Sequence, residues 1–119
     1  MPWVVVLHEA FDAEVAAMPR EVQTALLAKA KLLESFGPML GRPHADTLGG
    51  SKHANMKELR FDAKDGVWRV AFAFDPARQA VILVAGDKAG VSQSRFYRAL
   101  IATADKRFDD HLVRLKKGG

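Results

Sequence analysis

The chain has 119 residues, enough for one domain and too few for a second catalytic unit, and its 49% hydrophobic and 27% charged composition predicts a soluble globular fold with a two-layer core. With no cysteine in the sequence, disulfides, thiolate metal sites and cysteine nucleophiles are excluded. The net charge of +4 is uneven: residues 1–41 hold three cations against five carboxylates, a net −2, and the other 78 residues carry +6. That asymmetry fits a basic face for a polyanion such as nucleic acid, and charge alone fits a mildly basic soluble domain equally well.

The longest apolar runs, Trp3 to Leu7 and Ala80 to Ala85, fall far short of the ~20 residues a membrane helix needs. No signal-peptide pattern opens the sequence. A cytoplasmic chain with no membrane partner is the expectation.

Trp3-Val4-Val5-Val6-Leu7 is short and β-branched, which predicts a strand buried on both faces. Phe11, Val15 and Met18 recur at helical spacing, and Pro19 stands where it can open a second helix at its first position. That helix carries Val22, Leu26, Ala30, Leu33 and Phe36 on one stripe and stops at Gly37-Pro38. The two helices form a hairpin whose apolar side needs a sheet. Residues 37–55 have turn composition over a long connection, the kind of loop that is often functional.

Strands then return in meander order: Met56 to Phe61, Val67 to Phe74 and Gln79 to Asp87, joined through Asp65-Gly66 and through Asp75-Pro76-Ala77-Arg78. Ser92 can cap a last helix with Phe96, Leu100, Ala104, Phe108 and Leu112 spaced by four, and residues 116–119 read as a disordered tail. One α+β domain over residues 1–119 results, with a mainly antiparallel four-stranded sheet, an N-terminal strand and helical hairpin, and a C-terminal helix.

Period-two alternation divides the middle strand of the meander. Trp68, Val70, Phe72 and Phe74 point toward the helical hairpin, while Arg69, Ala71 and Ala73 line a shallow hollow. Glu58 and Arg60 share that hollow, and Lys57 lies on the other side or at the strand's start. For the third strand, either alternating set can face the hollow, because register is not fixed by sequence. The plainer reading is a solvated face with cross-strand ion pairs such as Glu58 with Arg69, each contributing ~0.2–1 kcal/mol. A surplus of cations beside small residues argues instead for an anion, most simply a phosphodiester.

The element order, with Met56-Lys57-Glu58-Leu59-Arg60-Phe61, Trp68-Arg69-Val70-Ala71-Phe72 and Val84-Ala85-Gly86-Asp87-Lys88, resembles the RelE/ParE superfamily of bacterial toxins, in its HigB or phage Gp49-like branch. The run from Gly41-Arg42-Pro43-His44 to Asn55, and Phe96-Tyr97 later, extend the likeness from Trp3 to about Leu112. The resemblance implies a RelE-like fold and the toxin of a type II toxin-antitoxin system: a ribosome-dependent mRNA endonuclease with contacts to 16S rRNA. It also implies a helix-turn-helix antitoxin as partner, and operator DNA reached only through that antitoxin. The implied chemistry needs no metal or cofactor, since the ribose 2′-OH attacks the adjacent phosphate, and such a reaction needs a base, an acid and cations on the phosphate oxygens.

Carried onto this sequence, the likeness makes Arg69 the transition-state cation, Arg60 a phosphate ligand or a partner of Glu58, Lys88 an acid or phosphate ligand, and Tyr97 a stacking or proton-transfer group. Lys52, His53, Lys57, Arg95 and Arg42 are the further RNA-binding candidates. Where the RelE branch carries a lysine pair, this chain has Met56 and Glu58, which leaves Glu58, His44 or His53 as the general base. Three alternatives stay open: a ParE-like gyrase inhibitor or degenerate binding module, a metal site at His44, Asp46 and His53, and an antitoxin contact through the acidic helical hairpin.

Overall fold

Strand β1 (Val4–Leu7) leads into helices α1 (Glu9–Ala16) and α2 (Arg20–Phe36), and a 3-10 turn over Gly37–Met39 carries the chain to β2 (Ala45–Thr47). Strands β3 (Met56–Ala63), β4 (Gly66–Phe74) and β5 (Gln79–Asp87) follow, and helix α3 (Gln93–Lys117) ends the chain. This is a computed structural model describing residues 2–118. The sheet has five strands in the order β1-β5-β4-β3-β2, antiparallel except where β1 runs parallel to β5.

The expected alternation places Val70 and Phe72 in one core with Phe11, Val22, Leu26 and Leu33 of the helical hairpin, and Trp68 and Phe74 pack at its margin. Phe11 starts beneath a helix capped by His8, whose Nδ1 accepts from Ala10 N at 3.0 Å. Pro19 stands one residue earlier than expected: it is the N-cap of α2, where the missing N–H costs nothing, and Arg20 opens the helix.

The other face departs from the sequence reading. Ala71 and Ala73 do not line an open hollow; their small side chains let α3 approach, and Phe96, Leu100, Ala104 and Phe108 form a second core with Met56, Val81 and Leu83. An amphipathic helix announces its apolar stripe but not which sheet face it covers. Phe72 and Phe108, on opposite faces, are both fully buried, and each such side chain contributes about 1.5–3 kcal/mol.

The expected four-stranded sheet gains β2, three residues inside the 37–55 loop that pair with Lys57 to Leu59 of β3. So short a segment carries no readable alternation. Strand β1 is not buried on both faces, because it forms the sheet edge, with Val4 55% and Leu7 39% exposed. The first hairpin turns on Lys64 and Asp65, whose φ values of 48° and 61° match the strand twist, rather than on Asp65-Gly66. Gly66 belongs to β4, where a Cβ would meet the Trp68 indole nitrogen at 2.7 Å. Register in β5 is set by a bulge: Ala71 faces Val84 and Phe72 faces Ile82, so Leu83 is the extra residue, and both Leu83 and Val84 turn toward α3. Lys116 and Lys117, expected in a disordered tail, form the last turn of α3 beside its carbonyl dipole; Gly119 lies outside the described residues.

Candidate active site

The buried polar residues of the sheet gather where the middle of β3, the start of β4, the end of β5 and the first turns of α3 meet. Strand register places Arg60 opposite Arg69, Glu58 opposite Ala71 and Arg69 opposite Gly86. Gly86 carries no side chain there because Phe96 fills the space: an added Cβ would lie 2.8 Å from the Phe96 ring. Phe96 thus seats the start of α3, which Ser92 caps by accepting from Arg95 N at 3.3 Å. The next residue, Tyr97, is thereby aimed at the sheet.

Tyr97 donates its hydroxyl to Glu58 Oε1 at 2.9 Å. Arg69 Nε stands 4.0 Å from the same oxygen, and Arg69 Nη1 donates to the Trp68 carbonyl at 2.9 Å. Glu58 and Arg69 are each 6% exposed, and Arg69 Nε is buried with no hydrogen-bond partner among the described residues. Burial pushes the Glu58 carboxyl above the usual range, against the Tyr97 hydrogen bond and the charges of Arg69 and Arg60, which pull it down. Burial, and then the bond to Glu58, also push the Tyr97 hydroxyl up, so Tyr97 stays a neutral donor. The trio combines a proton acceptor moved toward neutrality, a hydroxyl donor, and a cation with an unused N–H.

Around the trio, β2 brings Asp46 opposite Glu58. Arg42 binds Asp46 through Nη2 at 2.7 Å and Nε at 2.9 Å, and Arg60 Nη1 lies 3.6 Å away. Hydrogen bonding from Arg42 is the main cause holding the Asp46 carboxyl below its ordinary range. Lys88 Nζ sits 5.9 Å from the Tyr97 ring centroid, a cation over an aromatic face. A hollow of about 430 Å³ opens beside Arg69, lined also by Lys29, Arg42, Arg60 and Phe61.

A family model described as Phage derived protein Gp49-like (DUF891) matches residues 13–109, a span that holds every one of these side chains. The chain belongs to the Gp49-like family. Two relatives from Mycobacterium tuberculosis place this Gp49-like chain among HigB-type proteins. The candidate toxin HigB2 is 42% identical over 109 residues, 91% of this chain and 54% of the relative, so the chain spans about half of HigB2. The candidate toxin HigB3 is 44% identical over 103 residues, covering 87% of this chain and 88% of the relative. Among solved structures, a double arginine-to-alanine mutant of the E. coli toxin RelE in the free state superposes with a TM-score of 0.61 at 11% identity, covering 86% of this chain and 96% of that one. The RelE of an archaeal RelE-RelB complex from Pyrococcus horikoshii gives 0.55 at 17% identity, with 76% and 100% covered. The fold of this Gp49-like chain is therefore RelE-like.

Of the residues singled out in the sequence, Glu58, Arg60, Arg69, Lys88, Tyr97 and Arg42 come together in the Gp49-like chain. Lys52 and His53 do not: both bind Asp109 of α3, and His53 packs edge-on against Phe108. Lys57 turns away toward the Pro38 carbonyl, 3.5 Å from Nζ, and Arg95 is exposed on the first turn of α3. The proposed metal trio diverges, since His44 meets Lys29, Asp46 meets Arg42, and His53 meets Asp109. Sequence reasoning missed Lys29, which looks like any solvated helix lysine, and missed Asp46 as a site carboxylate. The spacing of four between Arg42 and Asp46 was the available signal for the latter.

Proposed function

We propose that this chain is the toxin of a type II toxin-antitoxin system and that it cleaves mRNA on the ribosome without a metal. The observation that carries the reading is the buried Glu58 held between the Tyr97 hydroxyl and Arg69, the latter lining a hollow with three further cations. Glu58 removes the proton of a ribose 2′-OH as its oxygen attacks the adjacent phosphorus. Arg69 donates its free Nε–H to the phosphate oxygens as charge builds, and Arg60 adds a second guanidinium. The bond from phosphorus to the 5′-oxygen breaks, Lys88 or Tyr97 supplies that oxygen with a proton, and the products are a 2′,3′-cyclic phosphate and a free 5′-OH.

Membership beside HigB-type relatives supports the toxin assignment. The archaeal RelE neighbour is in complex with RelB, and we extend a bound antitoxin to this chain, of helix-turn-helix type by family resemblance. A small helix-turn-helix reading frame beside the gene, whose co-expression restores growth, is the expected genetic result. In translation reactions programmed with a defined mRNA, wild type leaves cuts that Arg69→Ala does not. Identical mRNA patterns from the two proteins, together with gyrase supercoiling blocked by wild type, would replace the nuclease reading with gyrase inhibition.

A further inference from the structure

The cationic hollow continues past Arg69 to the helical hairpin. Lys29 of α2 lines it together with Arg42, Arg60 and Arg69, four cations against the Asp62 carboxylate in the same lining, and Lys29 Nζ lies 2.9 Å from His44 Nδ1 in the loop before β2. Arg42 and Arg60 share one carboxylate, Asp46. Lys29 makes no ion pair among the described residues. An ammonium has three N–H donors, so with one on His44 two remain for an incoming oxygen, and the five-donor fork of Arg42 is likewise not exhausted by Asp46. The buried, unpartnered Arg69 Nε marks the inner end of the same hollow as short of an acceptor.

We propose that Lys29, Arg42 and His44 form a second phosphodiester subsite, which grips the RNA backbone phosphate next to the one at Arg69 and leads the strand off the sheet over β2 toward α2. His44 is a positioning residue here: its Nδ1 fixes where the Lys29 ammonium points. The inference rests on the nuclease reading, and it adds a direction to it. A strand leaving the other way would pass Arg95 and Lys88.

The test uses the full chain with two uncleavable 2′-O-methyl RNAs, a hexanucleotide and a dinucleotide with a single phosphodiester, titrated at several salt concentrations. Lys29→Gln weakens the hexanucleotide about fivefold and flattens the slope of log affinity against log salt by about 0.7, the value of one lost single-strand phosphate contact. Lys29→Arg keeps the slope, and dinucleotide affinity stays unchanged throughout. Lys31→Gln, which removes the same charge from the same helix on the side lined by Val5 and Leu27, behaves as wild type. Equal slopes for Lys29→Gln and wild type overturn the subsite, as does equal flattening by Lys31→Gln. A Lys29-dependent affinity for a polyglutamate peptide, with no hexanucleotide binding, overturns it in favour of an acidic protein partner. The nuclease reading fails separately, if wild type binds both RNAs and leaves ribosome-bound mRNA uncut.

Discussion

Arg60 and Arg69 stand directly opposite one another on β3 and β4, two guanidinium groups on the same face of the sheet. Like charges opposed across an antiparallel pair are destabilising, and here one of them is buried with an unsatisfied N–H. Two carboxylates, Asp46 at 3.6 Å from Arg60 and Glu58 at 4.0 Å from Arg69, offset the repulsion without closing either pair to hydrogen-bond length. Folding alone gives no reason for this arrangement. The dianionic transition state of the proposed cleavage, placed between the two arginines, would supply one.

Arg69→Met tests whether activity falls further than stability. The substitution keeps the side-chain bulk but leaves the buried Glu58 carboxyl without its cation, so thermal unfolding shows a Tm below that of wild type. Cleavage falls by about 10²- to 10³-fold, the usual cost of one lost oxyanion donor. A variant that loses Tm and retains cleavage would show that Arg69 is a structural residue.

Glu58→Gln separates stability from activity. Burial raises the folded Glu58 pKa above its ordinary value of 4.5, so its ionised form costs stability above that pH and the cost fades as pH falls and both states protonate. At pH 7 the glutamine variant accordingly has the higher Tm, with the gap closing below about pH 4. Its activity is lost because an amide takes no proton. In wild type, cleavage declines as pH falls through the raised Glu58 pKa, and a pH–rate profile without that acid limb would remove Glu58 from the base role.

Much of this site was legible before any coordinates. Alternation placed Glu58, Arg60 and Arg69 on one face, away from Trp68, Val70 and Phe72, because a strand's side-chain period is fixed at two. What sequence did not carry was which helix covers which face and how β5 is registered. The bulge at Leu83 shifts the second half of that strand by one residue, and nothing in Ile82-Leu83-Val84 marks it. Lys52 and His53 were misplaced for a related reason: proximity to β3 in sequence says nothing of Asp109 on α3, which holds them both. Lys29 enters the site only by packing against the loop before β2, while Asp46 enters by pairing with β3 as well as through the nearby Arg42.

Gly86→Val tests the link between the second core and the trio. A Cβ at Gly86 would lie 2.8 Å from Phe96, and further methyls force the ring away. The expected cost is about 1–3 kcal/mol of stability from overpacking, read by denaturant unfolding. Cleavage falls further than the stability loss explains, because Tyr97 follows Phe96 on the same turn of α3. Adding Phe96→Ala to Gly86→Val frees the space and recovers part of both. No recovery in the double variant would mean that Phe96 does not seat the helix.

Acid unfolds this chain by releasing α3. Asp75 lies beneath the helix, with Oδ2 2.7 Å from His111 Nε2 and its carboxylate also accepting from Gln79. Burial pushes the Asp75 carboxyl up, but the bonds from His111 and Gln79 outweigh it and hold the group below its ordinary value of 3.8. Hydrogen bonds from Lys52 and His53 lower Asp109 in the same way, and Arg107 lowers Glu14 of α1. A depressed folded pKa means that the unfolded chain binds protons first as pH falls. The stability these groups contribute is complete above their unfolded pKa values and is lost as pH drops through the lowered folded ones. Melting curves between pH 7 and pH 2 thus show a Tm nearly independent of these groups down to about pH 5 and a steep fall below. Asp75→Asn lowers Tm at pH 7, where the carboxylate's hydrogen bonds are lost, and makes the fall at acid pH shallower because one titrating carboxylate is missing. An unchanged acid slope in that variant would place the release of α3 elsewhere.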